Sequence, residues 1–351
     1  MQKFEGMSKE DIVMNEKIDF VIMWVDGNDP AWQKQKQETL AIDTEEEIDA
    51  RPQRYRDWDN LKYWFRGVEK NAPWVNKIYF VTWGHVPEWL DTNNPKVVIV
   101  NHNDFMPKEG LPCFNANPLE LNLHRIKGLS EHFVYFNDDM FIIKKVRKED
   151  FFKNGLPVDN AVLNVHCYSE AVQWHFGYEQ AMGVLNKYFD FKKVIKSNFW
   201  KWFSPKNGIS KNMRTAVLAS CPRFPGIWQH HAPFTMLKST YNTIWEKEPE
   251  KMWETTRHHF RNKLDLTAAT MKAWQLASGN FEPRDVHMSR SYMIQNGQNT
   301  AEEVAQAIAE QKYKLITVND GDLTEEQFEN GKKAVISAFE KIFPEKSTFE
   351  I

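Results

Sequence analysis

The sequence predicts an α/β fold with a largely parallel sheet and a mostly helical insertion. Over the first 145 or so residues, short apolar runs rich in β-branched and aromatic residues alternate with helical periodicity. Residues 169–279 are mostly helical in pattern, and an α/β pattern returns after them. We therefore expect one α/β core built from residues 1–168 and 280–351, with residues 169–279 as the insertion.

The individual elements follow from apolar periodicity and turn signals. Between Leu61 and Val68, apolar residues recur at i, i+3, i+4 and i+7, which predicts an amphipathic helix. Thr324 and Gln327 have the spacing of a capping box and should begin the last helix. Strands are predicted at 18–25, 77–83, 96–100, 133–136, 161–165 and 313–318, and further helices after residue 30, at 118–129 and at 301–310.

The bulk composition excludes several classes of protein. The chain has 45 Lys and Arg against 48 Asp and Glu, a formal net charge of −3, so no basic field points to nucleic acid. Its three distant cysteines fit neither a disulfide framework nor a zinc site, which favours a reducing compartment. No signal peptide and no transmembrane segment is predicted, since no apolar run approaches the roughly 20 residues that span a bilayer.

The most informative stretch is the apolar run from Phe133 to Phe136, which ends in Asn137, Asp138 and Asp139. Burying an unpaired carboxylate is costly, so two adjacent ones after a buried strand need a partner. Mg²⁺ or Mn²⁺ would supply it, at the carboxyl edge of the sheet where α/β proteins bind ligands. An Asx-turn or a helix cap is the alternative for such a pair in isolation.

A second strand ends in Asn319, Asp320 and Gly321. Two Asn-Asp strand ends far apart in sequence could converge on one metal ion, or they could be independent turns. The predicted metal ligands are therefore Asp138, Asp139, Asn319 and Asp320.

Two loops add candidates for chemistry. His231, in the run His230-His231-Ala232-Pro233, is a natural general base because its ordinary pKa of about 6.5 lies near working pH. Arg223, in the Pro-rich approach to that loop, is taken with it as a catalytic candidate. The other loop is the turn Trp24-Val25-Asp26-Gly27-Asn28-Asp29-Pro30, where Gly27 permits a positive φ and close approach of a ligand. For His231 the alternative is a surface or core histidine whose hydrogen bonds are made within the fold. For the second loop the alternative is an ordinary β-turn.

Basic and polar residues suggest where substrate could bind. Arg54 and Arg56 could grip phosphate through their guanidinium groups, although Asp57 beside them could simply cap a helix. Further substrate-binding candidates are Glu120 and His124, which share a helix face, their neighbour Arg125, and Arg257 beside His258 and His259. No phosphate loop, dinucleotide fingerprint, nucleophile elbow or HExxH motif occurs, so transfer chemistry on a nucleotide-activated substrate fits best.

Four blocks of the chain resemble the Stealth phosphotransferase family. The first is IDFVIMWVDGNDPAW, and the second runs from RYRDWDNLKYWFRGVEKNAPWV to FNANPLELNLHRIKGLSEHFVYFNDDMF. The third is similar over QHHAPFTMLKSTY and TRHHFRNKLDLT, and the fourth over LITVNDGDLT and FPEKSTFE. The chain resembles the compact bacterial members, which act on capsular and cell-wall polysaccharides, rather than the longer animal N-acetylglucosamine-1-phosphotransferase. It departs from the animal enzyme at Asn60, Lys62 and Phe234.

The resemblance implies a glycosyltransferase-A-like fold in which the α/β core binds a nucleotide sugar. An acceptor hydroxyl would attack the β-phosphorus of a UDP-sugar, hexose-1-phosphate would be transferred to a glycan, free or lipid-linked, and UMP would leave. It also implies a cytoplasmic location, with peripheral attachment at the inner membrane face as a further option. By motif match, Asp139 and Asp320 would bind metal with help from Asp138 and Asn319, and His231 would be the base. The nucleotide or donor contacts would come from Trp24, Asp26, Gly27, Arg54 and Arg56.

Two rival functions stay open on sequence alone. A conventional glycosyltransferase of the same fold would break the sugar C1–O bond and release UDP. A noncatalytic carbohydrate-binding protein would use some of the 14 Trp and 24 Phe as sugar platforms, but it would leave the acidic strand ends without a role.

Overall fold

The computed structural model describes residues 17–43, 56–167, 174–295, 298–321 and 323–351. Its main sheet has five strands in the order β3-β2-β1-β4-β8, with the first four parallel and β8 antiparallel to β4. In chain order the strands are β1 (Ile18–Met23), β2 (Ile78–Thr82), β3 (Val97–Asn101), β4 (His132–Phe136), β5 (Met140–Ile142), β6 (Phe152–Lys153), β7 (Leu156–Asp159), β8 (Phe234–Leu237), β9 (Glu282–Pro283), β10 (Ser289–Ile294) and β11 (Leu315–Asp320). The predicted α/β class with a largely parallel sheet is confirmed.

Helices cover the sheets and fill the region between β7 and β9. In chain order they are α1 (Pro30–Ile42), α2 (Leu61–Asn71), α3 (His102–Phe105), α4 (Ala116–Asn122), α5 (Trp174–Tyr188), α6 (Phe191–Ser197), α7 (Phe199–Trp202), α8 (Ile209–Leu218), α9 (Lys238–Lys247), α10 (Pro249–Arg257), α11 (Ala268–Ser278), α12 (Ala301–Ala309) and α13 (Glu325–Ile342). Thr324 and Gln327 form the predicted capping box of α13. In the part of the chain that the structure describes, no helix has the length and apolarity needed to cross a bilayer.

A second sheet lies against the end of β4. It has three strands in the order β10-β11-β5, with β10 parallel and β5 antiparallel to β11. Because the chain turns directly from β4 into β5, this sheet begins where the main sheet ends. The sequence pattern predicted β11 but not β5, whose three residues are too few for a periodic signal.

Two predicted elements differ from those observed. Residues 161–165 are not a strand, since only Leu163 forms an isolated bridge, to Ile227. The strand lies earlier, at β7. The helix predicted at 118–129 begins at Ala116, where Pro118 fits the first turn, and α4 gives way to a 3₁₀ turn over Leu123–Arg125.

The helical segment 169–279 is not separate from the main sheet. It contains β8, which pairs with β4 at the edge of the five-stranded sheet. The helices after β8 pack on that sheet, and Tyr241 and Met271 share a buried cluster with Val21. By contrast, α5 to α7 contribute, together with part of α11, to a separate cluster around the fully buried Trp202. The predicted division into core and insertion therefore stays a prediction, with a strand of the core inside the predicted insertion.

Candidate active site

Asp138 and Asp139 lie in the tight turn between β4 and β5. The turn is closed by a hydrogen bond from the Met140 amide to the Asn137 carbonyl (3.2 Å), and both strands are fully buried. The Asp139 side chain is 19% exposed, and its Oδ1 is buried with no hydrogen-bond partner among the described residues. A buried carboxylate oxygen without a partner is available to a ligand.

The second Asn-Asp pair lies beside this turn. Thr317 of β11 is opposite Met140 of β5 in the antiparallel register, and the Val318 amide donates to the Asp139 carbonyl (2.9 Å). The next two residues are Asn319 and Asp320. The two strand ends, 180 or so residues apart in sequence, are therefore neighbours in the fold.

The Asp320 carboxylate is held by two neighbours, the buried Trp58 and the partly buried Arg56. It accepts a hydrogen bond from the Trp58 indole (Nε1 to Oδ1, 3.3 Å), and Arg56 Nη1 lies 3.4 Å from its Oδ2. Burial raises the pKa of Asp320 and the charge of Asp139 raises it further, while Trp58 and Arg56 oppose the shift. Asp139 and Asp320 are thus close enough to repel each other.

His231 completes this group from a third segment. Its Nε2 lies 2.9 Å from Asp139 Oδ2, and Thr317 Oγ1 donates to its carbonyl oxygen (2.7 Å), which fixes the loop on β11. Burial alone would lower the pKa of His231, but the Asp139 charge and hydrogen bond outweigh it, so the pKa is raised. A histidine oriented by a carboxylate is the arrangement expected of a general base.

Asp138 faces an acidic environment. Its pKa is raised to about 7 by burial and by repulsion from Asp139 and Asp57. The Asp138 side chain is itself exposed, so the neighbouring carboxylates are the main physical cause of this shift. Asp57 in turn accepts a 3.4 Å hydrogen bond from the Trp24 indole. Trp24, which the sequence nominated for the nucleotide site, therefore reaches the acidic cluster through Asp57.

The turn after β1 has a local structural role. Asp26 Oδ1 accepts from the Asn28 amide (2.8 Å), an Asx-turn, and the Asp26 amide donates to His85 Nε2 (2.8 Å). Asp29 caps α1, and Gly27 contributes its carbonyl to Gln33. Gly27 is not among the glycines of positive φ, so the turn does not use the backbone freedom that glycine permits there.

Glu120 lies behind the site rather than in it. It is buried on α4, accepts from the Ala268 amide (2.8 Å) and the Tyr135 hydroxyl (3.2 Å), and Tyr135 also bonds to Asn137. Burial raises the pKa of Glu120, which the positive charges of Arg261 and His231 oppose. Glu120 therefore supports the turn that carries Asp138 through Tyr135, a role in positioning that its sequence context did not indicate.

Several nominated residues are not joined to this cluster by any contact among the described residues. His124 packs against Tyr241 and Trp245 and does not bond to Glu120; burial of its ring lowers its pKa to about 3. Arg125 stacks on Trp245. Arg223 and Arg257 are exposed, Arg257 over the Trp253 ring. Arg54 lies outside the described residues.

Three residues of this region were missed or misread in the sequence. Asp57 does not cap α2, since the residue at that cap is Asn60; it bonds instead to Trp24 and the Asp59 amide. Trp58 had no signal beyond its neighbours. His85 packs edge-on against Trp24 and lies 3.4 Å from Asp29, a link between β1 and β2 that no periodicity reveals.

The donors in the cluster fit part of a divalent-metal site. Carboxylates and an amide at two strand ends are the oxygen ligands that Mg²⁺ accepts, and Asp139 Oδ1 is an orphan oxygen. Among the described residues, however, no three Asp, Glu, His or Cys side chains converge as a complete metal site. That pattern suits a cation held by one or two carboxylates, with the rest of its ligands from water and substrate phosphates.

The chain is similar in sequence to a family of phosphotransferases. Residues 16–43 match the model of Stealth protein conserved region 1, and residues 54–158 that of conserved region 2. The chain is 41% identical to the capsular polysaccharide phosphotransferase WcwK of Streptococcus pneumoniae, covering 95% of this chain and 98% of that protein. It is 37% identical to the receptor polysaccharide phosphotransferase WefC of Streptococcus oralis (95% and 99%) and 35% identical to the exopolysaccharide phosphotransferase cps2G of Lactiplantibacillus plantarum (95% and 96%).

Solved structures are similar only at a distance. The galactosyltransferase LgtC with donor and acceptor sugar analogues is 10% identical with a TM-score of 0.38, covering 91% of this chain and 95% of that one. Mouse xyloside xylosyltransferase 1 is 10% identical with a TM-score of 0.36 (86% and 97%). These values are too low to support a conclusion about mechanism. The sequence relatives decide the matter: the chain belongs to the Stealth family and is a transferase enzyme, a phosphotransferase.

Proposed function

We propose that this protein transfers hexose-1-phosphate, with N-acetylhexosamine-1-phosphate as the first choice, from a UDP-sugar to a glycan hydroxyl and releases UMP. The names of its relatives, phosphotransferases of capsular, receptor and exopolysaccharides, support a role in capsular or cell-wall polysaccharide synthesis. The observation that carries the proposal is the pairing of His231 with Asp139 beside a second acidic strand end.

In the proposed reaction the acceptor hydroxyl oxygen attacks the β-phosphorus. The new O–P bond forms as the bond from the β-phosphorus to the bridging oxygen breaks, and UMP takes the electron pair. The hydroxyl proton passes to His231, through Nδ1 when Nε2 is engaged with Asp139. Since phosphoryl transfer depends mainly on positioning and charge neutralisation, a base and well-placed cations suffice without a covalent intermediate.

We further propose that the reaction needs Mg²⁺ or Mn²⁺. Asp139 and Asp320 would hold the ion, with Asp138 and Asn319 in support. When bound, the ion would neutralise charge on the diphosphate oxygens. Its binding would also relieve the mutual repulsion that raises the pKa values of Asp138 and Asp320.

The nucleotide product tests the proposal. The protein is incubated with a panel of UDP-sugars, Mg²⁺ and an oligosaccharide acceptor, and the nucleotides are resolved by anion exchange, with the Asp139→Ala variant as blank. UMP released in step with a phosphodiester-linked product is the expected result. UDP release would instead identify a conventional glycosyltransferase, and sugar binding without metal or turnover would identify a binding protein.

A further inference from the structure

Exposed apolar side chains concentrate on two short helices, α7 and α8. Ten large apolar residues are exposed in the described part of the chain, and five of them lie in α7 and α8. Trp200 is 83% exposed and Ile209 82%. The five are Phe199, Trp200, Ile209, Met213 and Val217. Single exposed apolar residues are ordinary, but a concentration of this kind marks an interaction surface.

Helix α8 carries its apolar stripe on the side away from the protein. Ile209, Met213 and Val217 are spaced at i, i+4 and i+8, so they share one face. The only buried residue of α8 is Thr215, on the opposite face, whose Oγ1 accepts from the Leu163 amide (3.2 Å). Lys211, on that same face, lies over the Trp228 ring (4.9 Å). The helix is thus anchored by the face that carries Thr215 and the partly buried Leu218, and it presents its apolar stripe to solvent.

The surroundings of this surface are strongly basic. Between Phe191 and Arg223 the chain has eight Lys and Arg and no Asp or Glu, although the whole chain has a net charge of −3. Among the described residues, the ion pair that these cations form is Lys201 with Glu282, at 4.0 Å. Lys193 and Lys196 on α6 are exposed. An apolar stripe within a cationic region complements a surface that is both anionic and apolar.

We propose that α7 and α8 dock on an anionic lipid bilayer, with the α8 stripe and Trp200 inserted at the headgroup level. Helices with one apolar face and a basic border bind bilayers in this way, and Trp favours the interface between headgroups and chains. A second copy of the chain would bring two cationic regions together, and a nucleic acid would not require the apolar stripe. The surface is defined by these contacts alone and does not depend on the reaction proposed above.

The position of α8 gives the docking a consequence for the site. Lys211 contacts Trp228, and Trp228 stacks on His230, the neighbour of His231 (ring centroids 4.9 Å apart). A bilayer against α8 would therefore lie close to the loop that carries the proposed base. This consequence rests on the proposed function: a lipid-linked acceptor could reach the site without leaving the bilayer.

Vesicle flotation tests the docking. The full chain is mixed with phosphatidylcholine vesicles with and without phosphatidylglycerol. We expect it to float with the anionic vesicles only, and less so as salt is raised. The variant Ile209→Ser/Met213→Ser/Val217→Ser should bind roughly tenfold more weakly or worse, because the stripe supplies the apolar contact. Ile42→Ser/Ile351→Ser, which changes residues 78% and 75% exposed elsewhere, should bind like the wild type.

Charge is tested separately. Lys193→Gln/Lys196→Gln should reduce the preference for anionic vesicles, whereas Lys333→Gln/Lys341→Gln should not. Circular dichroism and thermal melts show whether each variant is folded, and Trp200→Ser alone provides a milder probe of insertion. The docking is overturned if the wild type fails to float, or if the folded triple variant floats as well as the wild type. A wild-type dimer in solution that the triple variant dissociates would also overturn it, in favour of a second copy.

The membrane docking and the proposed reaction can be refuted independently of each other. The triple variant should release UMP from a soluble acceptor at the wild-type rate, because α8 contacts neither Asp139 nor His231. Loss of flotation with UMP release intact supports docking and leaves the reaction standing. A wild-type chain that floats but releases no UMP refutes the reaction and not the docking.

Discussion

The His231 imidazole lies 2.9 Å from the Asp139 carboxylate, although 92 residues separate them along the chain. Asp139 is fixed by the β4–β5 turn, and His231 is fixed by Thr317 of β11. The distance between His231 and Asp139 is therefore set by three segments that are far apart in sequence: the β4–β5 turn, the loop of His231, and β11. If the proposed reaction is correct, both residues take part in it, and removing either should lower turnover more than it lowers the stability of the fold.

Asp139→Ala should abolish turnover and leave the fold intact. Its carboxylate is both the partner of His231 and the orphan oxygen available to a metal ion, and no buried hydrogen bond of the core depends on it. Relief of repulsion on Asp138 and Asp320 should offset part of any loss of stability. UMP release and thermal melting are measured together, with the exposed Glu149→Ala as control. Full activity of Asp139→Ala in Mg²⁺ would rule out the proposed metal site.

His231→Ala should lower kcat by roughly 10²–10⁴-fold, the usual contribution of general acid–base catalysis. The KM for the donor should change little, because the base acts on the acceptor hydroxyl. His287→Ala, an exposed histidine on another segment, is the matched control. A pH–rate profile for His231→Ala that resembles that of the wild type would assign the base to another residue.

The pKa of His231 should depend on Asp139. In the wild type it is raised above 6.5, so the neutral base becomes available only as pH rises through that higher value, and the rate should rise with it. In Asp139→Asn the opposing effect of burial dominates, and the pKa should fall below 6.5. Titration of the His231 ring signals by NMR in metal-free buffer measures this without turnover. An unchanged pKa in the variant would show that the 2.9 Å pairing does not hold in solution.

The elements that sequence predicted well are those with a regular signal. The strand from Ile18, the amphipathic helix from Leu61 and the capped helix after Thr324 form as expected, because periodicity and capping act over a few neighbouring residues. For Asp139 and Asp320, by contrast, the sequence left two alternatives open, convergence or independent turns. Their side-by-side placement depends on the short strand β5, whose pairing with β11 brings the two ends together.

Side-chain environment was the part that sequence could not supply. Both His124 and His231 looked like candidates in the sequence, yet burial beside Tyr241 and Trp245 lowers the pKa of His124, whereas Asp139 raises the pKa of His231. Likewise, Asp57 had the spacing of a helix cap, but its carboxylate accepts from the Trp24 indole, 33 residues away. Such differences arise from tertiary contacts that no local pattern encodes.

Arg56→Ala should weaken donor binding. The Arg56 guanidinium lies 3.4 Å from Asp320 and over the Phe328 ring, and its side chain is 21% exposed. Hydrogen bonds to charged groups contribute about 1.5–3 kcal/mol, so the KM for the UDP-sugar should rise by roughly tenfold or more. Lys144→Ala, exposed beyond the far end of β5, is the control. If KM is unchanged while the Mg²⁺ requirement shifts, Arg56 serves only to balance the charge of Asp320.

Glu350→Ala should destabilise the fold without touching the site. Arg66 of α2 holds Glu350 by two 2.7 Å hydrogen bonds and also donates to the Phe343 carbonyl (2.9 Å), and the two side chains are 10% and 3% exposed. Removing one partner of a buried pair costs about 3–5 kcal/mol because the other charge is left buried and unpaired. Chemical unfolding measures the change, and Asp285→Ala, an exposed carboxylate on another loop, is the comparison.

The same pair predicts how stability depends on pH. Burial alone would raise the pKa of Glu350, but hydrogen bonds from Arg66 and Ser347 lower it below its ordinary value of 4.5. A carboxyl whose folded pKa is depressed stabilises the fold above the unfolded pKa, and that contribution is lost as pH falls through the lower, folded value. The gap in unfolding free energy between wild type and Glu350→Gln should therefore be constant near neutral pH and shrink below about pH 4.5. A gap that persists unchanged into strong acid would mean that the Arg66–Glu350 contact stabilises by packing rather than by charge.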